Sequence, residues 1–275
     1  MSKVLTEVRG KSFVITINRP EKKNCVDGET ARLLHEAWLR FRDDEELWVA
    51  ILTGAGPESF CSGADLSDLD GLGPPRDAPA AVQRQFVTHG TGYLGYTRQV
   101  DIYKPIVCAV NGYALAGGLE LACLGDLRIV EEHAELGVAC RRWNVPLVDG
   151  GTQRLPRIVG LGHAMDLILT GRSIGAAEAY RMGLANQVVP KGDALRAALS
   201  LADALAKLPQ GAMRSDKQAA VMGMGRTLEE GLRIEAELGQ WAIRSADIHE
   251  GSRAFLEKRA ASFAQDDAKS SPKKS

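Results

Sequence analysis

One acid stands inside an apolar run. Glu120 lies in GGLELACL, residues 117 to 124. A carboxylate buried there is costly unless it is paired or put to chemical use. The alternative is an acid in a first helical turn, favoured by the helix dipole and facing water. Two glycine-bearing turns are the other feature with chemical potential: SFCSGADLSDLD (59 to 70) and NGYALAGGLELA (111 to 122). Each follows a predicted strand, so each sets flexible backbone just past the carboxyl end of a sheet, where open α/β sheets bind ligands. Two N–H groups from different turns, aimed at one point, form an oxyanion hole. The same spacing also suits tight turns needed only for packing. Neither turn is a nucleotide motif: GAGPES does not run G-x-G-x-x-G, and no GK[ST] loop is present.

The elements that must position these groups alternate. SFVITINRP (12 to 20), WVAILTGAG (48 to 56), PIVCAVNGYA (105 to 114) and LRIVEE (127 to 132) read as strands. ETARLLHEAWLRFRDD (29 to 44) has helical apolar spacing, and AGGLELACLGD (116 to 126) reads as a helix opening on glycine. Strands alternating with helices predict an α/β fold with a mostly parallel sheet. Residues 67 to 90, with their Gly-Pro-Pro, read as a mobile loop running into a helix, of the kind that covers sites. After Pro190 the pattern turns helical, over 193 to 208, 226 to 245 and 246 to 263. The polar end, AQDDAKSSPKKS, reads as disordered. The predicted division is a core over 1–190, a helical region over 191–265 and a tail over 266–275.

Composition narrows the function classes. The chain has 275 residues and a formal net charge of -1, so no global positive field exists to hold nucleic acid or anionic lipid. Its five cysteines, Cys25, Cys61, Cys108, Cys123 and Cys140, are odd in number and lack metal-ligand spacing. They read as small apolar residues in a reduced, cytoplasmic setting. MSKVLTEVRG lacks the apolar run of a signal peptide, and no stretch nears the roughly 20 apolar residues of a membrane helix. His35, His89, His133, His163 and His249 are scattered, with no Ser-His-Asp order.

Four stretches together resemble the enoyl-CoA hydratase/isomerase (crotonase) family: ITINRPEKKNCVDGE (15 to 29), FCSGADL (60 to 66), VNGYALAGGLELACLGDLRI (110 to 129) and GGTQRLPRIVG (150 to 160). The resemblance runs over roughly residues 5 to 265. It implies a crotonase-like spiral of ββα repeats with a helical C-terminal region, assembled as a homotrimer or a dimer of trimers. It implies an acyl-CoA thioester substrate and no separate cofactor or metal. The thioester carbonyl would be held by the N–H groups of Ala64 and Gly117. Lys23 and Asn24, Asp65 and Leu66, and the C-terminal Phe255 and Lys258 would approach the coenzyme A.

The same resemblance exposes a missing acid. Hydration of a conjugated double bond needs water activated at one carbon and a proton delivered to the other. Hydratases of the family use two glutamates. The first falls on Glu120; the second falls on Cys140, in GVAC. A thiol, with an ordinary pKa of roughly 8.5 against roughly 4.3 for glutamate, is a poor substitute. Arg141 and Arg142 would lower that pKa if they faced the site; otherwise Cys140 is an inert wall residue. Asp149, before Gly150–Gly151, lies where relatives line the acyl pocket and where some family isomerases and hydrolases carry an aspartate. Glu120 and Asp149 would then form the acid–base pair, unless Asp149 is only a turn or cap residue. Hydration of a 2-enoyl-CoA is the expected reaction. Enoyl or dienoyl isomerisation, thioester hydrolysis, and a non-catalytic acyl-CoA-binding role are the alternatives.

Overall fold

A computed structural model describes residues 1–75 and 77–263. Among these residues ten strands carry the fold: β1 (Val4–Arg9), β2 (Ser12–Ile17), β3 (Val49–Gly54), β4 (Ser59–Cys61), β5 (Ile106–Val110), β6 (Tyr113–Leu115), β7 (Leu127–Glu131), β8 (Glu135–Gly137), β9 (Ser173–Gly175) and β10 (Gln187–Val189). The helices are α1 (Gly28–Asp43), α2 (Ala80–His89), α3 (Gly117–Ala122), α4 (Gly151–Thr170), α5 (Ala176–Arg181), α6 (Ala194–Ala206), α7 (Gln210–Gly223), α8 (Leu228–Ile243) and α9 (Ala246–Glu257).

The β-branched runs of β3 and β5 are buried along their whole length, as expected of strands covered on both faces. They lie in a six-stranded sheet of order β1-β2-β3-β5-β7-β10, and β4-β6-β8-β9 form a second sheet. In the large sheet only the β1–β2 pair is antiparallel. Each of β3, β5 and β7 hands the chain to a short strand of the second sheet, then to a helix. This repeated strand–strand–helix step carries the chain round between the two sheets.

One expected strand, 105 to 114, is two. Asn111 interrupts it. Its Nδ2 donates to the carbonyls of Gly54 (2.8 Å) and Gly56 (2.7 Å), and its Oδ1 accepts from Gly54 N–H (3.2 Å). The side chain therefore pins the exit of β3 to the exit of β5 and turns the chain into β6. The expected helix over 116 to 126 closes at Ala122, and the N–H of Asp126 already bonds Ile106 of the large sheet (2.8 Å). Helix α1 starts where Asp27 accepts from the N–H and hydroxyl of Thr30 (2.9 and 2.7 Å). Helix α2 ends the segment read as a loop running into a helix, and it buries none of its residues.

The chain divides into two compact units: Met1–Gln99 with Ile106–Ala202, and Val100–Pro105 with the residues from Asp203 onward. The first unit extends past Pro190 because α6 buries Ala194, Ala198 and Ala202, a stripe at helical spacing. The second unit holds α7, α8 and α9, of which α7 was not singled out in the sequence. The expected disordered tail, 266–275, lies outside the described residues.

The approach of α3 to β4 is a test of this packing. A Cβ on Gly118 would overlap the carbonyl of Cys61, a backbone group that cannot turn aside. Gly162, in α4, has nothing within 4 Å of such a carbon. Gly118→Ala should destabilise the protein by about 3 kcal/mol or more, whereas Gly162→Ala should stabilise it by about 0.5–1 kcal/mol. Urea denaturation of the two variants checks both signs.

Candidate active site

Two backbone amides, one in a loop and one at the start of α3, come close together where the sheets end. Val26 bridges Ala64: the N–H of Val26 donates to Gly63 O, and the N–H of Asp65 donates to Val26 O, both at 2.8 Å. Peptide groups alternate along an extended chain, so the N–H of Ala64 points away from Val26. Ala64 lies beside the start of α3. A Cβ on Gly63 (φ 96°) would stand 2.9 Å from the nitrogen of Gly117, and one on Gly117 would stand 3.6 Å from the nitrogen of Ala64. Glycine at both positions is what lets the two segments meet. Among the described residues, no protein acceptor takes the N–H of Ala64 or of Gly117.

Ala116 aims the second amide. It precedes α3 with φ 54° and ψ -121°, a conformation unfavourable for a residue with a Cβ. The strain is held by its N–H donating to Gly137 O (2.9 Å) and its carbonyl accepting from the N–H groups of Leu119 (3.0 Å) and Glu120 (3.3 Å). Strain held by its surroundings is characteristic of functional sites.

One turn on, Glu120 is buried, at 2% exposure, which removes the reading of a water-facing helix acid. Its Oε1 accepts from the N–H groups of Asp149 (2.9 Å) and Gly151 (2.7 Å), the latter the first residue of α4. Gly151 must lack a side chain, because a Cβ would lie 2.9 Å from both Cγ and Oε1 of Glu120. Among the described residues no donor reaches Oε2. Burial and the neighbouring Asp149 push the Glu120 pKa up to about 7, against the pull of the two N–H bonds.

Asp149 is likewise buried. Its Oδ1 accepts from the hydroxyl of Thr97 and from the N–H of Leu94 (3.2 Å). Burial raises its pKa above the usual aspartate value although these donors oppose the shift. Asp149 is thus no exposed turn residue; its backbone touches Glu120 and its carboxylate is held by a separate segment. Behind the pair lies Arg154. It donates to the carbonyls of Thr97 (2.6 Å), Asp149 (3.2 Å) and Gln99 (3.3 Å), and burial lowers its pKa.

Cys140 is buried. Its thiol pKa is raised, first by burial and then by the charge of Glu120. The expectation that flanking arginines lower it is not met: Arg141 donates to Ile168 O (3.2 Å), its opposing pull is the smaller one, and Arg142 is exposed. The other four cysteines are also free and buried.

The expected coenzyme contacts divide. Lys23 is exposed, with its ammonium 4.9 Å from the centre of the Tyr113 ring, and Leu66 is 52% exposed. Asn24 is instead buried: its Nδ2 donates to Ala55 O and Ser59 O (2.9 and 2.6 Å) and its Oδ1 accepts from Arg19 N–H (2.9 Å). Asp65 is also turned inward, its carboxylate bonded to Ser67 and Arg19, which hold its pKa well below the usual range. Both side chains stabilise the loop rather than face outward. Phe255 (83% exposed) and Lys258, at the end of α9, belong to the second unit. Among the described residues there is no cluster of three or more His, Cys, Asp or Glu suited to a metal, and no helix long and apolar enough to cross a membrane.

Thr97 and Arg154 were not singled out in the sequence. Arg154 lay within a recognised stretch, GGTQRLP, three residues after Gly151. Its place one turn after the paired glycines that open α4 was the available signal. Thr97, in GYTRQ, carried none.

The arrangement has the parts for enolate chemistry on a thioester: two free N–H donors, then two buried acids with raised pKa values. Comparisons with known proteins agree. The family model for enoyl-CoA hydratase/isomerase matches residues 9–266. The chain is 38% identical over 262 residues to (E)-benzylidenesuccinyl-CoA hydratase of Thauera aromatica, covering 94% of this chain and 98% of that protein. It is 34% identical over 262 residues to the short-chain-enoyl-CoA hydratase of Clostridium acetobutylicum, covering 94% and 96%. Among solved structures it superimposes on an enoyl-CoA hydratase of Mycobacterium tuberculosis with a TM-score of 0.84 at 33% identity, covering 96% of this chain and all of that one. By its spiral fold, by the match along its length and by these relatives, the chain belongs to the enoyl-CoA hydratase/isomerase family.

Proposed function

We propose that this protein adds water to the double bond of a 2-enoyl-CoA, giving a 3-hydroxyacyl-CoA. One observation carries the reading: the unbonded N–H groups of Ala64 and Gly117 stand one helical turn from a buried glutamate with one unbonded carboxylate oxygen. The thioester carbonyl accepts from both amides, which stabilise the negative charge that develops on its oxygen. Glu120, its pKa raised to about 7, takes a proton from water through Oε2 as the water oxygen bonds to C3. The electron pair of the double bond moves towards the carbonyl, giving an enolate. The acid pair then returns a proton to C2, and C–H formation restores the thioester. Asp149 is the second acid, held by Thr97 and Leu94 in place of a carboxylate at position 140. Cys140 is then a wall residue whose raised pKa keeps it neutral.

Relatives named short-chain-enoyl-CoA hydratase and crotonyl-CoA hydratase support this chemistry, and the benzylidenesuccinyl-CoA hydratase adds an aryl substrate to the range worth assaying. The thiol at position 140 favours a second reading, double-bond isomerisation, in which Glu120 and Asp149 move a proton between carbons and no water adds. Lys23 and Leu66 flank the coenzyme in either case. Phe255 and Lys258 contact it in the assembled oligomer. A homotrimer or dimer of trimers is the proposed assembly, supported by the apolar side chains Leu228, Trp241, Phe255 and Leu256 left exposed on the second unit.

Purified protein should remove the absorbance of crotonyl-CoA without releasing thiol. Thiol release would establish hydrolysis instead. Absence of turnover with crotonyl-, cinnamoyl- and dienoyl-CoA, together with tight binding, would leave a pocket without chemistry. Glu120→Gln and Asp149→Asn should each lower kcat by about 10²–10⁴-fold with the fold intact. If Asp149→Asn leaves kcat unchanged, Asp149 is structural.

The raised Glu120 pKa also predicts a pH dependence of stability. The ordinary value is 4.5 and the folded value about 7, so the folded protein binds the extra proton between them. Stability from this group is full below about pH 4.5 and is lost as pH rises through 7, by about 3 kcal/mol in total. Urea midpoints at pH 5.5 and pH 8 should therefore differ less in Glu120→Gln than in the parent. An equal difference in both proteins would place the titration elsewhere.

A further inference from the structure

The N–H of Gly117 starts a helix, but that of Ala64 sits in a loop and needs another support. The bridge to Val26 holds the peptides on either side of Ala64. Bonds of Ser62 and Ser59 to Lys23 O tie the two segments together upstream, and one buried side chain, Arg19, 8% exposed, braces the bridge itself. Its Nη1 donates to Cys25 O (2.7 Å), on the Val26 side. Its Nη2 donates to Asp65 Oδ2 (2.8 Å), on the Ala64 side, and lies 3.2 Å from Asp27 Oδ2. A single planar guanidinium thus grips the residues flanking both partners of the bridge. Asp27 also caps α1, and Asp65 also binds Ser67, so the clamp is fixed at both ends. The group is far more tightly built than an exposed ion pair, since Arg19, Asp27 and Asp65 are all buried.

We propose that Arg19 is a positioning residue of the oxyanion hole, setting the direction of the Ala64 N–H through the Asp65 carboxylate and the Cys25 carbonyl. The proposal rests on the reading of Ala64 and Gly117 as the carbonyl donors. Arg19 touches no substrate. It acts on the amide one residue before Asp65, and a change of tens of degrees there would weaken a hydrogen bond whose strength depends steeply on angle. Lysine does not replace it, because an ammonium is a point donor and lacks the fork that spans the bridge. Lys3 provides an internal contrast. It pairs with Asp27 and Glu29 (2.7 Å each) at the rim of the same network, without reaching Asp65.

The test is isotope-edited infrared spectroscopy of butyryl-CoA labelled with ¹³C at the carbonyl, bound to the full-length protein. Butyryl-CoA has no double bond to hydrate, so the carbonyl stretch reports only its hydrogen bonds. The parent protein should lower that frequency relative to free ligand. Arg19→Lys and Arg19→Met should lose roughly half of the lowering, since one of two donors is misaligned. Their kcat for crotonyl-CoA should fall about tenfold to hundredfold, with KM changed by less than about threefold. Lys3→Ala should lose thermal stability yet keep the full carbonyl shift and kcat. Should Arg19→Met fail to fold, Asp65→Asn carries the test, because it keeps the side-chain shape and removes the charge that Arg19 grips; the same loss is expected. Folded Arg19 or Asp65 variants with the parent's shift would overturn the proposal while leaving the oxyanion reading intact. No shift in the parent would overturn both.

Discussion

The buried carboxylate of Glu120 is the constraint around which the site is organised. Its Oε1 joins α3 to the start of α4 through the amides of Asp149 and Gly151. That contact brings a second acid beside the first and requires glycine at 151. A carboxylate at the start of a helix meets oriented N–H groups and the positive end of the helix dipole. Burial acts the other way, and it prevails, because the pKa stands at about 7. The result is an acid whose pKa stands near neutral pH, the condition in which one group can both accept and return a proton.

The backbone carries a local conformational penalty where α3 begins. Ala116 holds a positive φ that costs of the order of 1–3 kcal/mol for a residue with a side chain. The penalty is offset by bonds on both sides of the residue, to Gly137 in β8 and to the first turn of α3. Those bonds tie the Gly117 amide to the second sheet. The Ala64 amide is tied to the same neighbourhood by the Val26 bridge and by Gly63, which has no Cβ to hold Gly117 off. Two sheets, rather than one, are what let these turns converge. The pin that makes the second sheet branch off at β6 is the amide side chain of Asn111.

Much of this was legible in the sequence because it is local. The runs in β2, β3 and β5 announce buried strands, α1 has its apolar spacing, and Glu120 stands out from its apolar neighbours. The glycine turns were equally visible, though whether they served packing or ligand could not be read from spacing alone. Other features escaped because their signals are tertiary. Helix α4 runs through Pro156 and a non-helical Gly160, which blur its periodicity. The break at Asn111 follows from carbonyls some 55 residues away in sequence. Asn24 and Asp65, expected at the coenzyme, have side chains that bind the protein itself, and nothing in their own neighbourhoods of sequence says so. Thr97 and Arg154 acquire meaning only once Asp149 is seen between them.

The charge balance of the site explains why Cys140 and Asp149 belong together. Arg154 is the half-buried cation behind the acids, and it bonds carbonyl oxygens rather than a carboxylate. Glu120 and Asp149 are already both raised in pKa beside it. A third carboxylate at position 140 would lie close enough to Glu120 to interact, as the rise of the Cys140 thiol through the charge of Glu120 shows. Three buried acids facing one half-buried guanidinium would push at least one proton back on, since like charges in a low-dielectric site cannot all ionise. A neutral thiol at 140 avoids that. With it, the aspartate at 149 can occupy the site without a third buried charge, and the number of acids stays at two.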